Sequence, residues 1–286
     1  MAAPYDLAVN VVAVALGGIG VAGWNRARLW WKYRAKKRFW GFFEQPTVFV
    51  VGELESSILM NALYAELESL VSPEADRRAL VNGIIAHVRD QEDSGLIGRG
   101  DFDAMINLVV LWASLKQTRP LIMLPEDLGD HKVDNLVLIG GADVNSLTAA
   151  LSPQLGCQLE ATRDSENHNL VKDWRLGQDY PVRTEISANG HAGEVQLRDW
   201  GVLVRGRNPH NPKSVVLIVA GAHGLGTFAA TEVCVRDSNQ SRLFAENKQH
   251  RESFEALISY ERLIGGPFDG RVTVAFELVR ELRPAP

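Results

Sequence analysis

Residues 214–227 read SVVLIVAGAHGLGT, a run of apolar, largely β-branched residues followed by a turn with three glycines. The run 214–220 predicts a buried strand, and Gly226 and Thr227 open a helix that we expect to reach about Val235. Free amides in the first turn of a helix, together with the Thr227 hydroxyl, are suited to cradle a phosphate. Equally, a tight strand-to-helix turn needs glycine whether or not anything binds. The stretch lacks the lysine of a Walker A loop and the spacing of a Rossmann fingerprint.

A second stretch has the same order of strand, glycine and polar caps. The strand predicted over residues 135–139 ends at Gly140 and Gly141. Asp143 or Asn145 then either hydrogen-bonds a ribose or base, or caps a helix that runs to about Leu155 and stops at Gly156.

A third glycine turn, Gly98-Arg99-Gly100-Asp101, precedes an apolar helix predicted over residues 102–116. Asp101 is well placed as the N-cap of that helix, and Arg99 could neutralise a phosphate or lie exposed beside the cap.

Strands alternating with helices predict an α/β fold with a largely parallel, doubly wound sheet. Further strands are expected at 47–51, which ends at Gly52-Glu53, and at 120–124. Two late strands, near 257–263 and 271–281, should form an antiparallel edge. Helices are expected at 58–70 and 244–254, and a β-rich insertion within 157–198. Residues 73–89 have a helical pattern that equally allows a short strand over 83–88.

In such folds ligands bind beyond the carboxyl ends of the strands, so the three glycine turns should form one ring. Neither a strong catalytic motif nor metal-ligand spacing is present, and no cofactor can be named. The predicted ligand-binding residues are Arg99, Asp101, Gly140, Gly141, Asp143, Asn145, Gly221, His223, Gly224, Gly226 and Thr227.

The N-terminal region predicts a membrane anchor. Residues 7–24 form an uncharged run of 18 residues, about 27 Å of helix against roughly 30 Å of bilayer hydrocarbon. The segment that precedes this run is not basic, which argues against a signal peptide. The aromatic and basic run 25–40 follows it, so the positive-inside rule places the N-terminus outside and the C-terminal body in the cytoplasm, a single-pass inner-membrane topology.

Charge divides the chain in the same place. Residues 1–40 carry seven basic side chains and one acidic one, a net of +6, which leaves −11 for residues 41–286 out of the total of −5. We therefore expect a membrane segment over 1–40 and one cytoplasmic α/β domain over 41–286. An acidic body repels phosphate backbones, which disfavours direct nucleic-acid binding. Two cysteines are too few for a disulfide framework.

Three stretches carry a resemblance: GRGDFDAMINLVVL, DNLVLIGGADVNSLT and DWGVLVRGRNPHNPKSVVLIVAGAHGLGTFAATEV. They resemble an uncharacterised α/β module of bacterial and archaeal proteins over residues 98–277. The resemblance implies a portable ligand-sensing or interaction part, with no assigned reaction to carry over. The matching residues are Gly100, Asp101, Gly140, Gly141, Asn145, Asp199, Gly221, Gly224, Gly226 and Thr227. The layout of anchor and domain is also similar to membrane effectors of bacterial nucleotide-signalled antiviral defence.

Three hypotheses follow. The first is a membrane-anchored sensor or effector that binds a nucleotide-like anion and associates with further copies of itself in the bilayer. The second is a hydrolase of a nucleotide or NAD-like substrate that uses Glu53 or Asp101 with His223. The third is a non-catalytic membrane scaffold whose glycine loops are merely tight turns.

Overall fold

The computed structural model describes residues 39–40, 46–52, 99–114, 121–166, 168–186, 195–246, 252–264 and 272–282. They form an α/β fold around a mixed eight-stranded sheet of parallel and antiparallel strands, which confirms the α/β part of the predicted fold class. In chain order the strands are β1 Thr47–Val51, β2 Leu121–Met123, β3 Asn135–Ile139, β4 Leu159–Arg163, β5 Asn169–Asp173, β6 Gln178–Pro181, β7 Arg183–Ile186, β8 Val195–Asn208, β9 Asn211–Gly221, β10 Phe254–Ile264 and β11 Val272–Glu281. The helices are α1 Arg99–Ser114, α2 Ser146–Leu155, α3 Gly224–Val235 and α4 Asp237–Glu246, with short 3-10 helices at Pro125–Asp127 and Gly129–Val133.

The main sheet has the order β11-β10-β8-β9-β3-β1-β2, and β7 pairs with β8. Neighbours from β2 to β9 are parallel, and the pairs from β9 to β11 are antiparallel. Six strands run in one direction, while β8 and β11 run against them. The antiparallel edge predicted for β10 and β11 is present, but β8 extends the antiparallel part towards the middle of the sheet. The reason is the tight turn at Pro209-His210, which returns the long strand β8 directly into β9.

Side chains alternate between the two faces of the sheet, as the period of two in a strand requires. In β1, Phe49 and Val51 join the core cluster that contains α1, α3 and α4. Val48 and Val50 join the opposite cluster, with α2 and the small sheet β4–β6. Both faces of the central strands are therefore covered, which explains why their sequences are continuously apolar.

Residues 157–198 contain the small antiparallel sheet β4-β5-β6 and the strand β7. An arginine whose side chain is 10% exposed joins this small sheet to the main one. Arg280 on β11 donates to both carboxylate oxygens of Asp173 on β5, at 2.8 and 3.0 Å, and to Glu255 on β10. Glu255 in turn accepts the backbone N–H groups of Gln158 and Leu159, at 2.9 and 3.0 Å.

Two helix predictions were wrong. The helix expected over 244–254 is displaced, since α4 starts at Asp237 and Phe254 begins strand β10. Helix α1 starts at or before Arg99, so Asp101 lies within its first turn instead of at its N-cap. The helix predicted at 58–70, the helix or short strand within 73–89, the membrane span 7–24 and Glu53 lie outside the described residues. Within the part that the structure describes, no helix is long and apolar enough to cross a membrane.

Strands β1, β3 and β9 end at one edge of the sheet, which we call the site edge, and begin at the opposite edge, which we call the entry edge. The chain reaches β1 at the entry edge, after Phe39 and Trp40, which are fully buried. The Trp40 indole N–H donates to the Cys234 carbonyl near the C-terminal end of α3, at 2.9 Å. The α/β body thus already includes Phe39, two residues before the predicted boundary.

Candidate functional site at the strand ends

Helices α1 and α3 start side by side at the site edge. A Cβ atom on Gly100 would lie 1.7 Å from the Gly224 carbonyl oxygen, so the two helix backbones are in direct contact. This contact brings the first turn of α1 against the glycine turn before α3. Two of the three predicted glycine turns are therefore neighbours.

Asp101 projects from α1 into this junction. The Thr227 hydroxyl of α3 hydrogen-bonds its carboxyl group. A Cβ on Gly140 would lie 3.9 Å from Asp101 Oδ2, which places the turn after β3 beside the same carboxyl group. The three predicted turns therefore meet at the side chain of Asp101.

Burial raises the pKa of Asp101. Thr227 opposes the shift through its hydrogen bond and His223 through its charge, while Asp143 and Asp199 reinforce it. Three carboxyl groups from three different elements are thus close enough to influence one another. We call Asp101, Asp143 and Asp199 the carboxylate cluster.

Asp199 caps helix α3 from β8, the strand beside β9. Its carboxylate accepts the backbone N–H groups of Trp200 at 2.7 Å, His223 at 3.2 Å and Gly226 at 2.6 Å. The residue is 1% exposed, and burial raises its pKa while the Trp200 and Gly226 amides act to lower it. The chain's own carboxylate thus takes two of the amides expected to cradle a phosphate.

The turn after β3 is rigid and internally bonded. Gly140 has φ 104°, a conformation that favours glycine. Asn145 is fully buried: its amide group donates to Val50 O at 3.2 Å and Ile139 O at 3.0 Å, and its carbonyl accepts the N–H groups of Leu147 and Thr148. Of the two roles considered for Asn145, the cap is the one its contacts show, and it also joins β1 to β3.

The rim of the site is polar and exposed. Asp143 is exposed and pairs with Arg163 of β4, with 3.3 Å between Oδ2 and Nε. His223 is also exposed; its backbone caps α3, whereas its side chain makes no capping bond. Charged and titratable side chains therefore surround the half-buried Asp101 carboxyl.

Backbone packing accounts for several of the predicted site glycines. A Cβ on Gly226 would lie 2.0 Å from the Trp200 carbonyl oxygen, and one on Gly221 would lie 2.2 Å from the Thr227 nitrogen. One on Gly141 would lie 2.8 Å from the Ala161 carbonyl oxygen. These glycines let α3 and β4 approach the main sheet, which is reason enough for their presence.

The structure thus brings Asp101, Gly140, Asp143, His223, Gly224 and Thr227 together. The close packing next to these residues is made by Gly141, Asn145, Gly221 and Gly226. Arg99 is described only by its backbone, as the first residue of α1. Sequence reasoning left two residues out of the site. Asp199 stood in the D-W motif of the resemblance, and its position before an apolar strand was the available signal. Arg163 gave none, because its place depends on how the small sheet packs.

The arrangement offers hydrogen-bond acceptors, a carboxyl group with a raised pKa and the Arg163 guanidinium at the rim. Acceptors of this kind bind hydroxyl and amine groups, and Arg163 suits an anionic group. Among the described residues, no three His, Cys, Asp or Glu side chains are grouped so as to hold a metal ion.

Comparison with protein-family models, curated proteins and solved structures found no match to this chain.

Proposed function

We propose that this protein is a membrane-anchored sensor or effector whose α/β domain binds a nucleotide-like small molecule at the site edge. The observation that carries the proposal is the meeting of three turns at Asp101, a half-buried carboxyl with a raised pKa that is bonded to Thr227. A carboxyl group whose charged form is disfavoured by burial is typical of functional sites.

The contacts suggest how such a ligand is held. Because Asp199 already binds the Gly226 and His223 amides, the phosphate does not sit on the start of α3. Asp101 and Asp143 accept hydrogen bonds from hydroxyl or amino groups of the ribose or base. The phosphate lies towards Arg163 and His223, where its charge is balanced at the exposed rim.

The anchor part of the proposal rests on the apolar run 7–24 and the basic run after it. The anchor holds several copies side by side in the inner membrane with the domain in the cytoplasm, and ligand binding alters their association. Trp40 supports a connection between the two parts, because it is bonded to α3, the helix whose other end carries Thr227.

Isothermal titration of the full chain in detergent against nucleoside phosphates, cyclic dinucleotides and NAD tests ligand binding. Wild type should bind at least one of them, and Asp101→Asn should abolish the binding. The control is Asp179→Asn, an exposed carboxylate at the start of β6. Silence across the panel would support the scaffold hypothesis instead. Equal binding by wild type and Asp101→Asn would show that the ligand lies away from Asp101 and would contradict the proposed site.

A hydrolase is the second candidate, favoured by the electrostatic interaction between Asp101 and His223. An acid with a raised pKa beside an exposed imidazole can act as a general acid–base pair on a bound nucleotide or NAD-like substrate. Chromatography of such substrates after incubation with the full chain should show turnover that His223→Gln removes while binding persists. If wild type leaves every substrate intact, the hydrolase reading is wrong.

A further inference from the structure

The exposed apolar side chains of the described residues are unevenly distributed over the molecule. Trp174 and Leu176, 56% and 60% exposed, lie in the turn between β5 and β6. Leu121 begins β2, and Val133 ends the 3-10 helix before β3. All four lie at the entry edge. Of the two other exposed large apolar residues in the described part of the chain, Val110 lies on helix α1 and Val272 starts β11 at the site edge.

The position of the β5–β6 turn follows from the arginine network. Asp173 ends β5 and is bonded to Arg280, near the end of β11, and Arg280 also binds Glu255 at the start of β10. Strand β10 runs parallel to β9, and β11 runs antiparallel to it. Glu255 at the start of β10 and Arg280 near the end of β11 therefore both lie at the entry edge. The turn that follows Asp173 therefore points away from the carboxylate cluster.

The turn is held in one conformation. Besides binding Arg280, the Asp173 carboxylate accepts the backbone N–H groups of Arg175 and Leu176 in the turn, at 2.9 and 3.1 Å. The Trp174 indole N–H donates to Glu160 at 2.6 Å, and Lys172 Nζ lies 4.1 Å from the ring centroid. Trp174 and Leu176 are thus held in place while exposed to solvent, with the cationic Arg175 between them in the sequence.

The part of the chain outside the described structure indicates what meets this surface. The apolar run and its basic continuation precede Phe39, and the chain then enters β1 at the entry edge. An anchored bilayer would therefore lie on the same side of the domain as the β5–β6 turn. Trp and Leu flanked by cations are typical of protein surfaces that rest in the headgroup region.

We propose that the β5–β6 turn, through Trp174 and Leu176, is a second contact with the lipid surface, which holds the entry edge on the membrane and turns the carboxylate cluster towards the cytoplasm. This inference rests on the membrane anchor of the proposed function. It adds an orientation that a single flexible tether would not impose.

The test uses the full chain reconstituted into phosphatidylcholine and phosphatidylglycerol vesicles. Leu176→Cys carries a fluorophore, and lipids with nitroxide-labelled acyl chains report its proximity to the bilayer. Glu166→Cys, exposed in the β4–β5 turn at the site edge, is the matched control. Background labelling is low because burial raises the pKa of Cys157 to about 12 and Cys234 is buried.

We expect nitroxide lipids to quench the fluorophore at position 176 and to leave the one at 166 bright. Trp174→Ser in the Leu176→Cys chain should reduce that quenching. A chain that floats with the vesicles but shows no quenching at 176 overturns this inference and leaves the anchor standing. Shielding of position 176 from aqueous iodide without lipid quenching indicates a protein contact instead, and also overturns it. A chain that does not float overturns the anchor and this inference together.

Discussion

Asp101 and Asp199 are carboxyl groups beside the start of the same helix, but their surroundings give them different tasks. Asp199 accepts three backbone N–H groups and is committed to the fold. Asp101 has the Thr227 hydroxyl as a partner and is half-buried among other carboxylates. At the scale of single residues, Asp199 holds the site together and Asp101 is the group available to a ligand.

The raised pKa of Asp101 gives a prediction about pH. A folded state that holds the proton more tightly than the unfolded chain loses stability as the pH rises from the ordinary carboxyl pKa through the raised one. Asp101→Asn keeps an acceptor for Thr227 and cannot ionise. We therefore expect its Tm to exceed that of wild type at neutral pH, with the difference shrinking towards acid pH. Thermal unfolding over a pH series measures the difference in Tm between the variant and wild type. A difference that decreases as the pH rises from acid to neutral would contradict the prediction.

Asp199→Ala should have the opposite effect on stability at neutral pH. It removes the Asp199 acceptor from the Trp200 and His223 amides and one of the two acceptors of the Gly226 amide. Lost hydrogen bonds to buried amides cost at least about 2 kcal/mol in the free energy of unfolding. Asp164→Ala is the matched control, because Asp164 also accepts two backbone N–H groups, those of Glu166 and His168, but at an exposed turn where water replaces it. Denaturant unfolding compares the two, and equal losses would show that burial of the Asp199 cap is unimportant.

At the scale of elements, the site depends on how closely helix α1 packs against helix α3. Gly100 meets the Gly224 carbonyl, and Thr227 then lies within reach of Asp101, one residue further along α1. The two helices leave the site edge together, and their far ends pack on the buried Trp40, through Trp112 and the Cys234 carbonyl. A change in the distance between α1 and α3 at the site edge should therefore also change their packing on Trp40.

Gly100→Ala tests this packing. A methyl group has no room against the opposite backbone, so the loss in the free energy of unfolding should be about 3 kcal/mol or more. Gly129→Ala is the comparison: its site is open, but φ is 47°, so its cost should be about 1–2 kcal/mol from backbone strain alone. Denaturant unfolding of both variants gives the order. If Gly100→Ala proved the milder change, α1 and α3 would not be in backbone contact.

At the scale of the whole molecule, local patterns predict the α/β class because three of the parallel strands, β1, β3 and β9, end at a glycine. The runs at 47–51, 135–139 and 214–220 are apolar on both faces, and Asn145 and Gly156 mark the two ends of α2 as expected. Such signals are carried by neighbouring residues and need no knowledge of the rest of the fold.

The parts that escaped prediction depend on contacts distant in the chain. The residues around Asp199 place it beside an apolar strand, but they do not predict that its carboxylate binds the backbone of His223, 24 residues later. Arg163 contacts Asp143 because the small sheet packs on the same face of the main sheet as α2. The extent of the antiparallel region likewise depends on β10 returning to pair with β8. The anchor stays a prediction from residues 7–24.

Hydrogen–deuterium exchange of the full chain, with and without the nucleotide that binds it best, tests the central claim most directly. A ligand held by the carboxylate cluster should slow exchange in peptides covering residues 140–144 and 222–225, and leave residues 172–179 of the β5–β6 turn unchanged. Slowed exchange confined to any other part of the chain, with both site peptides unaffected, would contradict a binding site at the strand ends.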